Sequence, residues 1–310
     1  MAESLKELRA VDVVLLGVSA LVVVANAAVC VLVVVRKRLR TYTNGFVLSL
    51  AISDILTGGV FMPFNLLNPM HIAHGFVTML VIVSSTCNLS AVAFDRYLAV
   101  VKPLAYKTKI AGSFARLVCA VWGVAVVMTV LPISWKADQS LLVHKIYVSC
   151  AVALFLVFPL VFILFVYSYI FVRLRRHGKM SRALQATRTR RDEIRKSKRE
   201  LKTVKMFSSI VALFLVSWFP VIVITMAFVA NKPVPAYVFT ISNFSITISS
   251  LANPFMYTLM KLDFQRELKA IMPCYKRNSP VSRLHYALAL GNLRNTTSIL
   301  AQTEESRSES

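Results

Sequence analysis

The sequence predicts an all-α integral membrane protein: a seven-transmembrane helix bundle with a short amphipathic helix after the seventh span. Three observations predict it. Apolar residues make up 57% of the chain and charged residues only 16%, where a soluble domain carries about a quarter charged. Seven apolar runs recur, each long enough for the roughly 20 residues that cross a bilayer as a helix. Basic residues collect in alternate connections between the runs, as the positive-inside rule requires. Lys and Arg outnumber Asp and Glu by 36 to 14. With no aromatic-basic interleaving, that excess points to topology and the anionic cytoplasmic leaflet rather than to nucleic acid.

The chain divides into a short extracellular N-terminus over 1–11, a transmembrane domain over 12–260, an amphipathic surface helix over 261–273 and a disordered cytoplasmic tail over 274–310. Spans fall near 12–35, 45–67, 72–101, 115–134, 143–172, 203–230 and 234–259. The first run is too long for a signal peptide and ends in basic residues, so it reads as a retained span. Period-2 alternation is absent, which excludes a membrane barrel. The first loop holds Arg36, Lys37, Arg38 and Arg40, the third Lys102, Lys107 and Lys109, and the fifth, 173–202, is the most basic stretch. The odd loops are therefore cytoplasmic, the N-terminus outside and the C-terminus inside.

After the seventh span, Phe264, Leu268 and Ile271 recur at helical spacing opposite Lys261, Arg266 and Lys269, the pattern of a helix lying on a lipid surface. Cys274 follows, a candidate palmitoylation site or a plain free thiol. The other cysteines, Cys30, Cys87, Cys119 and Cys150, sit in apolar runs and read as small buried hydrophobes. No Cys/His cluster, G-x-S-x-G, H-E-x-x-H or phosphate-binding glycine loop occurs, so neither a metal site nor an enzyme is expected. Sequons at Asn88, Asn243 and Asn295 fall in spans or the tail, and no N-glycan is expected.

Polar residues inside a span are costly and mark function. Asn26 and Asp54 lie mid-way along the first and second helices, Ser85 lies in the third, and Ser249 stands one turn before Asn253 in the seventh. Packed together, they form one polar pocket around Asp54. It reads either as a structural hydrogen-bond network or as a cation site for sodium, with Asp54, Ser85, Ser249 and Asn253 as ligands. Pro63, Pro132, Pro159, Pro220 and Pro254 each remove a backbone donor and favour kinks.

Specific motifs sit on this frame. Asp95, Arg96 and Tyr97 end the third span, Ser49 to Asp54 occupy the second, and Trp122 the fourth. Phe158, Pro159 and Tyr167 mark the fifth, Ser217 to Pro220 the sixth, and Asn253 to Tyr257 the seventh. In that order and spacing, over roughly 12–272, the chain resembles the rhodopsin-like (class A) G-protein-coupled receptors, nearest in flavour to adenosine and amine receptors. The resemblance implies that Arg96 pairs with Asp95 and, across the bundle, with Glu200 at the foot of the sixth helix. It implies that Tyr167 and Tyr257 reorganise around Arg96 when that helix swings outward. Trp218, Phe214 and Pro220 would couple a ligand pocket to the swing, and Leu104, after Pro103, would dock a heterotrimeric G protein. The Ser/Glu-rich tail, 298–310, reads either as a receptor-kinase and arrestin site, since phosphates add charge to an exposed segment, or as an inert polar tail.

The sequence also departs from that family. His71 stands where the usual third-helix cysteine would be, and the loop from Trp135 to Tyr147 has none, so the extracellular cap is not stapled. The amine-binding aspartate is replaced by Thr78, the purine-binding asparagine by Thr225, and Thr247 stands at the retinal lysine position. The expected pocket is Asn65, Thr78, Ile82, Ala151, Phe155, Val221, Ile222, Thr225, Phe239, Asn243 and Thr247. It favours a neutral, lipid-like or purine-like small molecule over an amine, since an ammonium there lacks a counter-charge. Signalling without any ligand and proton sensing by His71 and His74 stay open. The rival function is an ion- or proton-coupled transporter using Asp54, against which stands the lack of inverted repeats. The expected location is the plasma membrane.

Overall fold

The computed structural model describes residues 10–67, 71, 73–183, 212–213 and 216–271. Among them every regular element is helical. The first helix, α1, is Ala10–Val35, and its buried residues are Leu15, Ser19, Val22, Asn26, Val29 and Val33. Their alternating spacing of four and three puts them on one stripe. Val24 and Val31 on the other side are exposed, the apolar surface that hydrocarbon requires. The basic connection that follows closes α1: Arg40 Nε and Nη2 both donate to the Val34 carbonyl, at 3.0 and 2.6 Å. This satisfies a carbonyl that the helix end leaves open.

Thr41 caps α2, accepting from the Asn44 backbone N–H at 3.3 Å. This span, Tyr42–Leu67, contains a π turn at Thr57–Phe61. Gly58 in that turn lies against α1, where a Cβ would stand only 2.7 Å from the Ser19 carbonyl oxygen. Small residues permit this kind of backbone approach between membrane helices. The interior helix is α3, Ala73–Val101, with a polar face of Ser84, Ser85, Thr86, Asn88 and Asp95 all buried.

The fourth helix corrects the expected boundary. It starts at Pro103 and runs to Val130 as one element, α4, where the sequence reading began it near 115. Hydropathy marks where lipid is crossed, whereas a helix is equally content in water. Pro103 in its first turn is pre-organised for a start. Trp122 Nε1 donates to Ser49 Oγ at 3.0 Å, tying α4 to α2.

The fifth helix, α5, comprises Leu142–Val152, a π turn at Ala153–Val157, and Phe158–Ala183. α6 is described over Val216–Val229 and α7 over Ala236–Met260. α1 to α5 are long and apolar enough to cross a membrane, while α7 is more polar, carrying Ser242, Asn243, Thr247, Ser249, Ser250 and Asn253. The segment Leu262–Ile271, α8, belongs to a separate compact unit. In it Phe264 and Glu267 are buried, and Asp263 and Arg266 are exposed.

Candidate functional site

Three polar assemblies occupy successive levels of the bundle. At the level where α1 begins, a cavity of about 760 Å³ lies among the helix ends. Asn65, Thr78, Ile82, Val221, Thr225 and Asn243 line it as expected, together with Ala151 and Phe239. Phe155, Ile222 and Thr247 are not among its lining residues. Phe155 sits inside the π turn of α5, whose extra residue changes which side chains face inward. The Thr247 hydroxyl is spent on its own helix, donating to the Asn243 carbonyl at 2.7 Å.

Within this cavity three side chains from three helices form one relay. Asn65 Nδ2 donates to Asn243 Oδ1 at 2.7 Å. The Asn65 oxygen then accepts, and His74 Nε2 lies 2.7 Å from it, which assigns the His74 proton to Nε2. His74 is one turn before Thr78, whose hydroxyl donates to the His74 carbonyl at 2.7 Å. That i, i+4 spacing from a recognised pocket residue was the signal that could have placed His74 in the lining. Asp12, Gln139, His144, Tyr147 and Lys232 also line the cavity. They come from an end of α1, two loops and the start of α5, which no periodicity relates.

His144, Tyr147 and Phe228, all on the cavity lining, form an aromatic cluster with Trp135, with centroid separations of 5.4 to 6.3 Å. Trp135 Nε1 donates to His144 Nδ1 at 3.2 Å. The α4–α5 connection turns through left-handed backbone at Lys136 and Ala137, φ 58° and 52°. Asp138 then accepts from the Ser140 hydroxyl and N–H at 2.7 and 2.9 Å, which holds its carboxyl below the usual range. His71 Nδ1 accepts from the Ala73 N–H at 3.1 Å, capping the start of α3. Cys30, Cys87, Cys119 and Cys150 are all free thiols. Packing and turn hydrogen bonds thus shape this end among the described residues.

Trp218 and Ile246 line both this cavity and a small chamber beneath it. The chamber brings together Asp54, Ser85, Ser249 and Asn253, with Ser250 beside them. Asn253 Nδ2 donates to Asp54 Oδ2 at 2.8 Å. Asn26 Nδ2 joins α1 to α7 through the Ser250 carbonyl at 3.3 Å. The chamber measures about 10 Å³, the lower limit for one water-sized occupant. One carboxylate with hydroxyl and amide oxygens is a hard-oxygen set that suits a small hard cation. No group of three or more His, Cys, Asp or Glu occurs among the described residues.

At the opposite level Asp95 is fully buried and collects donors from three helices. Thr43 Oγ1 donates to Oδ2 at 2.8 Å, Tyr106 OH to Oδ1 at 2.7 Å, and Arg96 Nε to Oδ2 at 2.9 Å. Arg96 Nη2 donates to both Asp95 and Thr43. Burial raises the Tyr106 phenol above its ordinary value, which keeps it a donor. Tyr97 packs on Tyr169 of α5 with centroids 5.9 Å apart, and Tyr167 is buried on the same helix. Pro103 opens α4, and beside it Leu104 is 99% exposed. Lys261 Nζ donates to Asn44 Oδ1. Pro220 lies within α6. Glu200, Phe214, Cys274 and the side chain of Tyr257 lie outside the described residues. Thr43 was missed because it stands in no motif, and Tyr106, which closes the run that follows Asp95, Arg96 and Tyr97, was given no role; only folding brings them to Asp95.

Residues 25–257 match the family described as 7 transmembrane receptor (rhodopsin family). The chain is 27% identical to the mouse 5-hydroxytryptamine receptor 6 over 297 residues, covering 81% of this chain and 68% of that receptor. It is 28% identical to the human adenosine receptor A2b over 305 residues, 84% of this chain and 89% of that one. With the mouse neuropeptide FF receptor 2 the identity is 25% over 330 residues, 91% and 77% of the two chains.

Proposed function

The chain belongs to the rhodopsin family of seven-transmembrane receptors, a multi-pass membrane protein with a G-protein-coupled signalling role rather than an enzyme, and from that premise we propose how it signals. A small molecule enters the 760 Å³ cavity from outside the plasma membrane, and the response leaves through Arg96 on the cytoplasmic side to a heterotrimeric G protein. The observation that carries this reading is the shared wall: Trp218 touches both the ligand cavity and the Asp54 chamber. A bound molecule that displaces Trp218 alters the chamber beneath and biases α6. Family membership removes the ground for a transporter built on Asp54.

At the cytoplasmic level, Asp95 and Thr43 hold Arg96 in the resting state, with Glu200 as the further partner on the sixth helix. Removing one member of such a buried set leaves the rest uncompensated, so ligand-linked motion of α6 makes a two-state switch. Leu104 supplies an exposed apolar contact for the G protein. The oxygens of Asp54, Ser85, Ser249 and Asn253 would hold a sodium ion, which would supply a positive charge that offsets Asp54 in the resting state. Cys274 carries a palmitoyl group, and the tail serves a receptor kinase and arrestin.

The test is basal G-protein activation in cells across the main Gα classes, for wild type and Glu200→Ala at matched surface expression. One responding class, with a higher signal in the variant, supports the switch. Coupling that is present yet identical in the two proteins removes Glu200 from it, and no coupling by either protein overturns the signalling route.

A further inference from the structure

We propose, resting on the receptor reading above, that the cavity selects a ligand whose polar end is a hydrogen-bond acceptor, a carbonyl or carboxylate seated on the side-chain amide of Asn243. The rest of that ligand is an apolar body lying among Met79, Ile82, Val221, Ile224 and Phe239. The relay through His74, Asn65 and Asn243 has a direction: His74 Nε2 donates to the Asn65 oxygen, and Asn65 Nδ2 donates to the Asn243 oxygen. Once Asn65 has donated to Asn243 Oδ1, one lone pair of that oxygen is taken while both amide hydrogens remain, on a half-buried residue lining the cavity. Successive hydrogen bonds in such a chain polarise one another, so the terminal amide N–H group is a stronger donor than that of an isolated asparagine.

An ammonium has three donors and no acceptor, so it can use only the one lone pair left on Asn243 Oδ1 and neither of the amide hydrogens. Asp12, the one carboxylate on the described lining, already has a partner. Lys232, also on the lining, adds positive charge, so both polar features favour an acceptor. An amine is disfavoured by the relay as well as by the lack of a free counter-charge.

The experiment uses the full chain in phosphatidylcholine nanodiscs, with hexanamide, hexanoate and hexylamine as probes of equal length. Affinities are read from the thermal unfolding midpoint as each probe is titrated. The amide and the acid are expected to bind at least about tenfold tighter than the amine, the effect of one hydrogen bond gained against one donor clash. Asn243→Asp keeps the shape, removes both N–H groups and reverses that order. His74→Leu breaks the relay at its other end and weakens amide binding severalfold, which keeps the proposal testable if the aspartate variant does not fold. An amine that binds wild type as tightly as the amide overturns the proposal, and loss of that binding in Asp12→Asn would place the amine at Asp12. No measurable binding by amide or acid overturns it too. Nucleotide exchange on a purified G protein is measured on the same preparation. Exchange without acceptor selectivity defeats this proposal and leaves the receptor reading intact, and selectivity without exchange does the reverse.

Discussion

Tyr106 donates its phenol hydrogen to Asp95 Oδ1 over 2.7 Å, joining the start of α4 to the end of α3 through a carboxylate with no solvent exposure. Thr43 holds the other oxygen from α2. The anchor of Arg96 is thus a junction of three helices, and its strength depends on residues that never touch a ligand.

Tyr106→Phe removes one donor from a buried anion, a loss of about 1.5 kcal/mol or roughly tenfold in a two-state equilibrium. Basal nucleotide exchange in membranes should rise several-fold, and Thr43→Ala should act in the same direction. Unchanged basal exchange at equal expression in both variants would remove the junction from the switch.

Gly58 meets the α1 backbone where a Cβ would lie 2.7 Å from Ser19 O and 3.0 Å from Val22. Because the near atom is backbone, it cannot rotate away. Gly58→Ala should lower the thermal midpoint, with an overpacking cost of about 1–3 kcal/mol. Gly17→Ala on the same helix pair has nothing within 4 Å and should be close to neutral. Equal midpoints for the two variants would show that α1 and α2 are not closely packed there.

The bond from Trp122 to Ser49 predicts coupled losses. Trp122→Phe and Ser49→Ala should each cost about 1 kcal/mol, and the double variant little more than one of them. Additive losses in a thermal double-mutant cycle would mean that the pair does not interact.

The oxygen set around Asp54 predicts stabilisation specific to sodium. The unfolding midpoint should climb with NaCl but not with choline chloride at equal ionic strength, following the mass-action rule for a ligand of the folded state. Asp54→Asn should flatten that response. Identical curves in the two salts for wild type would leave a hydrogen-bond network as the whole role of the chamber.

Much of this arrangement was legible beforehand, for identifiable reasons. Asp54, Ser85, Ser249 and Asn253 line one chamber because a polar side chain in hydrocarbon has few places to go but toward other polar groups. The pocket residues Asn65, Thr78 and Asn243 follow from helical spacing once the motifs fix the register. Phe155 was misplaced because a π turn leaves no hydropathy signal, while Thr247 is buried outside the cavity lining. The start of α4 at Pro103 was missed because a helix in water carries no apolar run.

By itself, then, the sequence determined that the chain is a multi-pass membrane protein and which residues are costly to face lipid, since the cost of a polar group in hydrocarbon is written residue by residue. Which of those polar residues meet was decided only by tertiary structure. His74, Asn65 and Asn243 are joined across α3, α2 and α7, and Thr43, Tyr106 and Asp95 across α2, α4 and α3. A hydrogen bond depends on tenths of an ångström and on the rotation of each helix about its axis. Those rotations come from the packing of the whole bundle and from two π turns, and no local pattern encodes them.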